Sequence, residues 1–82
     1  MVAQDLLARI ASEPGKLGGK PLIRGRRITP GMVLTMLANG AGRDAILEAY
    51  PVLEPLDIDA CLLYAARLSD FAAERGLTLA AE

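Results

Sequence analysis

Five residues punctuate the stretch from Thr29 to Gly76 and leave it one reasonable reading. Pro30, Gly40, Pro51, Pro55 and Gly76 stand at the ends of three apolar-periodic segments. Proline fits the first turn of a helix and stops one elsewhere, while glycine suits the residue just past a helix end. In "TPGMVLTMLANG", Thr29 is the N-cap, Pro30 is the first helical residue, and Val33, Met36 and Leu37 share a face before Asn39-Gly40 ends the run. "AGRDAILEAYP" predicts a short second helix with Ala45, Ile46, Ala49 and Tyr50 turned inward and Pro51 as its stop. The third helix runs from Pro55 to Arg75. Ile58, Cys61, Leu62, Ala65, Leu68 and Ala72 recur along it at offsets of three and four, which predicts one continuous apolar face. At roughly 1.5 Å per residue it spans about 30 Å. That exceeds what two short helices can cover, so its last turns are expected to reach past the core towards a partner.

The chain upstream is of a different kind. "SEPGKLGGKP" reads as loop. "LIRGRRI" reads as a short, exposed strand with a bulge or turn at Gly25. Arg9–Ala11 and Leu22–Ile28 are candidates to pair, and "QDLLARI" either opens with a helical turn or leads into that strand. Two strands are marginal in water, so the element must lean on the helices. The expected architecture is one mainly α domain. An extended element with a short β portion (residues 1–28) packs on a three-helix core (29–76), and a tail (77–82) follows that reads as frayed or as a short strand.

Composition narrows the function. The chain of 82 residues is 52% apolar but only 4% aromatic, so its core is built from Leu, Ile, Val and Ala. So apolar a small domain is expected to cover part of its surface with a second chain, and a homodimer is the expectation. There is no His and only one Cys. Disulfides within the chain, Cys/His zinc sites and His-based triads are thereby excluded. Cys61, beside Ala60, Leu62 and Leu63, reads as a small apolar core residue. Asp57 and Asp59 sit two residues apart on different faces of the helix and cannot converge, and "GKLGGK" lacks phosphate-loop spacing. No enzyme activity, metal or cofactor is expected. Neither a leader pattern nor a run of ~20 apolar residues is visible, so a cytoplasmic protein with no membrane partner is expected.

The linked motifs resemble the family designated domain of unknown function 433. They are Gly19-Lys20-Pro21, Ile23, Gly25, Arg27-Ile28, then Gly40, Ile46-Leu47, Tyr50-Pro51, Leu53, Asp57-Ile58 and Tyr64-Ala65-Ala66. The resemblance covers about residues 7 to 67. It implies a homeodomain-like core bearing a helix-turn-helix. It also implies an antitoxin setting, in which such proteins bind operator DNA and neutralise a toxin with a PIN-like nuclease fold encoded beside them. Four positions depart from the family pattern: Arg26 for Thr, Gly42 for a capping Ser or Thr, Glu54 for a capping Thr, and Leu56 for an acid.

Charge distribution supplies the candidate sites. The formal net charge is −1, yet residues 16–27 hold Lys16, Lys20, Arg24, Arg26 and Arg27 with no acid, while residues 44–82 hold eight acids. Lys20, Arg24, Arg26, Arg27 and Arg43 are the candidates for contact with double-stranded DNA, through phosphate neutralisation or a minor-groove arm. The opposing reading pairs the arginines with Asp57 and Asp59 and so fastens the N-terminal element to the core. Arg27 leans to that structural role and Arg26 to a ligand contact. Glu54, Asp57 and Asp59 at the start of the third helix would repel phosphates in the usual helix-turn-helix pose. Leu56, Leu63, Arg67 and Phe71 are the candidates for protein contact, whether with a second copy or a toxin. Exposure of the arginines separates a DNA-binding regulator from a pure protein-interaction domain.

Overall fold

The computed structural model describes residues 2–76. The order of elements is α1 (Ala3–Leu7), β1 (Ile10–Ser12), β2 (Pro21–Ile23), α2 (Pro30–Ala38), α3 (Arg43–Ala49) and α4 (Pro55–Glu74), with a 3-10 turn at Leu17–Gly19. The fold is mainly helical with one small sheet, as expected. The tail, residues 77–82, lies outside the described residues.

The start signals act as their chemistry dictates. The Thr29 hydroxyl accepts from the Met32 N–H at 3.2 Å, and Pro30 opens α2. Gly40 follows that helix at φ +93°, a left-handed conformation that costs glycine little. Gly42 precedes α3 without a side-chain cap. At α4 Glu54 holds the N-cap position, and the Asp57 carboxylate, three residues on, reaches back to the Glu54 N–H at 2.7 Å.

The strands β1 and β2 are antiparallel, with Ile10 opposite Ile23, Ala11 opposite Leu22 and Ser12 opposite Pro21. The chain then reverses at Arg24-Gly25. Both residues have positive φ, +48° and +71°, as a tight type I′ turn requires. The Arg26 N–H closes the turn onto the Ile23 carbonyl, and Ile28 returns to accept from the Ile23 N–H.

Helix α4 is the hub: α1, β1, α2 and α3 all pack against it. The five residues of α1 are too few for an isolated helix and owe their order to this contact. The main core cluster joins Ile23, Ile28, Val33, Ile46, Leu53, Ile58 and Cys61. Cys61 is therefore core, as its neighbours implied. Leu22 and Ala60 are also fully buried, outside that cluster.

Two expected faces need correction. On α3 only Ile46 is buried, with Leu47 and Tyr50 half-buried, whereas Ala45 and Ala49 are exposed. Seven residues give two turns, and one large side chain suffices to anchor them. On α4 the apolar face is not buried throughout. Ile58 and Cys61 are enclosed, but Leu62 and Leu68 are 44% and 48% exposed. Beyond Ala65 every residue of α4 except Ala72 is exposed.

Candidate functional site

The N-terminal extended segment and α4 meet at one carboxylate. Asp57 stands in the first turn of α4, and its side chain is wholly removed from solvent. A buried charge is costly unless it is paired and hydrogen-bonded. Asp57 is both. Arg24 donates from Nε to Oδ1 and Oδ2 at 3.0 and 3.1 Å and from Nη2 to Oδ2 at 2.9 Å. Arg9 donates from Nη1 to Oδ1 at 2.9 Å. The Glu54 N–H supplies a further donor. Arg9 also reaches Glu54 Oε1 at 2.8 Å, and Arg24 Nη2 reaches the Val52 carbonyl at 2.7 Å. Two guanidiniums and two carboxylates make the cluster neutral.

Local backbone geometry sets this cluster. Arg24 is the first central residue of the tight turn, and its N–H binds the Arg9 carbonyl at 2.7 Å, one step beyond the Ile10–Ile23 pair. The sheet register thus places the two arginines side by side over the start of α4. Burial pushes the Asp57 carboxyl upward, but the bonds from Arg24, the Glu54 N–H and Arg9 outweigh it and hold it below its ordinary value. The bond to Glu54, then that to Asp57, raise Arg9, and the bond to Asp57 raises Arg24. Burial, and then the charge of Asp57, push the Cys61 thiol up to about 11.

Five cations were named for an anionic partner, and the structure divides them. Arg24 is held by Asp57, and Arg43 pairs with Asp59. Lys20, Arg26 and Arg27 are exposed and have no acid partner among the described residues. The fastening role that leaned to Arg27 falls to Arg24. Lys16 is tied to Glu13 at 3.1 Å and to the Gly25 carbonyl at 3.2 Å. Arg9 was not singled out from the sequence. Its one available signal is its place just before a strand that must pair near Arg24.

The candidates for protein contact lie on α4. Leu56 and Leu63 are half-buried, while Arg67 and Phe71 are exposed. The Arg75 guanidinium sits 4.7 Å from the centre of the Phe71 ring, within cation–π range. Leu53, just before α4, is buried in the core. An open groove of about 330 Å³ lies between the N-terminal turn of α2 and the middle of α4. Among the described residues no three His, Cys, Asp or Glu side chains converge as metal ligands, and no helix is long and apolar enough to cross a membrane.

The profile of the family described as "Protein of unknown function (DUF433)" matches residues 10–65, more than half of the chain. The chain belongs to the DUF433 family. The match takes in β1, the tight turn, α2, α3 and the first half of α4 with Asp57, but not Arg9. A crystal structure of a DUF433 member from Anabaena variabilis superimposes with a TM-score of 0.71 at 28% identity, covering 88% of this chain and 71% of that one. No curated protein matches.

Proposed function

We propose that this chain is a non-catalytic regulatory module of the antitoxin kind. Its tight turn would contact operator DNA, and α4 would receive a protein partner, a PIN-like toxin in the setting that the family resemblance implies. The observation that carries the reading is the state of the turn. Arg26 and Arg27 stand exposed, with no acid partner among the described residues, beside Arg24, whose guanidinium anchors the turn to α4. An arginine pair on a fixed support can engage phosphates without first giving up internal partners. The acids at the start of α4, which would oppose a phosphate backbone, are met by Arg9, Arg24 and Arg43. On α4, Leu56, Leu63 and Arg67 fall at offsets of seven and four and so share one side, which suits a protein contact.

A second reading, a protein-interaction domain with no nucleic-acid binding, is favoured by the commitment of Arg24 and Arg43 to internal pairs. Fluorescence anisotropy of a labelled duplex from upstream of the gene separates the two. The protein and its Arg26→Ala/Arg27→Ala variant would be titrated at two salt concentrations. Salt-sensitive binding that the folded variant loses supports the DNA contact. No binding at low salt removes it and leaves the interaction domain.

A further inference from the structure

The tight turn carries one more inference, which rests on the proposed DNA contact and names what that contact reads. The backbone under Arg26 and Arg27 is fixed at four points. The Arg24 N–H binds the Arg9 carbonyl at 2.7 Å, the Arg26 N–H binds the Ile23 carbonyl at 2.9 Å, Lys16 Nζ holds the Gly25 carbonyl at 3.2 Å, and the Arg24 guanidinium grips Asp57. The charges around the turn cancel, Arg9 and Arg24 against Glu54 and Asp57, and Lys16 against Glu13. Arg26 and Arg27 are left as two adjacent exposed guanidiniums on a rigid base, with no acid partner among the described residues.

Among the described residues no other surface suits the major groove. That groove is about 12 Å wide and is read by a helix or a two-stranded ribbon lying in it. Asp57, Ile58, Ala60 and Cys61 at the start of α4 are buried, and so are Leu22 and Ile23 of β2, so both elements are committed to the core. The outer face of α2 presents Met32 and Thr35 with no charge, and that of α3 presents Asp44 and Glu48. The exposed half of α4 sets Arg67 and Arg75 against Asp70 and Glu74. Side chains alone remain, and the minor groove, about 6 Å wide, admits them. Over A·T tracts it is narrower and more negative, which favours an inserted arginine. A guanidinium is more weakly hydrated than an ammonium and so loses less on leaving water for that slot. We propose that Arg26 and Arg27 enter the minor groove of A·T-rich duplex DNA, and that the turn selects its site by groove width rather than by a base code.

Anisotropy titrations of the full chain with three labelled duplexes of equal length test this: one with A·T tracts, one of G·C pairs and one of I·C pairs. Inosine lacks the amino group that guanine places in the minor groove but keeps the major-groove edge of guanine. The A·T and I·C duplexes should bind alike, and the G·C duplex at least about fivefold more weakly. Arg26→Lys/Arg27→Lys keeps both charges and should keep the salt dependence, yet bring the three duplexes within about twofold of one another. Equal binding of all three by the wild type overturns the inference and leaves the DNA contact standing as a contact to phosphates. An I·C duplex that binds as weakly as the G·C duplex overturns it in favour of the major groove. A preference that survives in the lysine variant overturns it too, since the guanidiniums then do not carry it. No binding to any duplex at low salt removes the DNA contact itself, and this inference with it.

Discussion

Replacing Asp57 by Asn tests the central joint of the fold. The change keeps the shape of the side chain but removes its charge and turns one acceptor oxygen into a donor. Four donor atoms converge on that carboxylate: Arg24 Nε and Nη2, Arg9 Nη1 and the Glu54 N–H. An amide can satisfy some of them through its oxygen, but its NH2 must then face a guanidinium. Removing one partner of a buried ion pair costs about 3–5 kcal/mol. Two features reduce this. The Arg9 and Arg24 side chains keep 18% and 26% of their exposure and can partly rehydrate. Glu54 also remains for Arg9. A loss of about 3 kcal/mol is the expectation, against a total of about 4–12 kcal/mol for a domain of this size. At about 4–8 °C per kcal/mol, the melting midpoint should fall by about 12–24 °C. Urea unfolding at neutral pH, followed by circular dichroism, reads the loss directly. Repeating it in an Arg24→Ala background should show the two changes to be less than additive by about 1 kcal/mol or more. A loss below about 1 kcal/mol for Asp57→Asn, or full additivity with Arg24→Ala, would refute the view that this pair holds the N-terminal element to α4.

Three further outcomes follow from the same geometry. Because Asp57 is held below its ordinary value, its contribution is complete above the unfolded carboxyl pKa of about 4. It is lost as pH falls from there through the folded value. An acid titration should therefore unfold the wild type below about pH 4, and the Asp57→Asn protein should have a shallower acid limb; equal limbs would count against the assignment. Gly25→Ala should cost about 1–2 kcal/mol, since φ is +71° and the new Cβ would lie 2.8 Å from Glu13 Oε2. The carboxylate can swing aside, so the backbone conformation sets the cost, and a neutral result in urea unfolding would contradict the turn. Cys61, buried with its thiol pushed up to about 11, should resist a thiol reagent at pH 8 until urea unfolds the chain, and labelling at the rate of a free thiol would contradict its burial.

The helices were legible because their punctuation is local. Thr29-Pro30 and Asn39-Gly40 carry their signals within a few residues, and the hydroxyl and the positive φ appear where those signals place them. The burial of α4 was legible only in part. The spacing of Ile58, Cys61, Leu68 and Ala72 reports that these residues share a face. It does not report how far along the helix α2 and α3 extend, and that length leaves Leu68 half-exposed. On α3, alanines fit an inward face as readily as an outward one, so Ala45 and Ala49 could not be sorted by pattern. The ion cluster was the hardest to read. The sequence offered Asp57 and several arginines, but the choice of Arg24 over Arg27 depends on a turn whose first central residue is Arg24. The entry of Arg9, 48 residues away from Asp57, depends on the strand register. Non-local pairing of this kind leaves no trace in spacing along the chain.

The pairing of charges also sets how strongly an anionic partner can be held. Arg9, Arg24, Arg43 and Lys16 are met by Asp57, Glu54, Asp59 and Glu13. This removes the repulsion that the acids at the start of α4 would otherwise exert, and it also removes those cations from any phosphate contact. At the turn, Arg26 and Arg27 remain. Two phosphates neutralised per chain give a slope of log affinity against log salt of about −1.8, so a fourfold rise in salt weakens binding only about tenfold. The salt dependence of DNA binding therefore reads how many cations make the contact. A slope near about −1.8 for the wild type that falls towards zero in Arg26→Ala/Arg27→Ala is expected. A much steeper slope, or one the double variant leaves unchanged, would mean that cations other than Arg26 and Arg27 carry the contact.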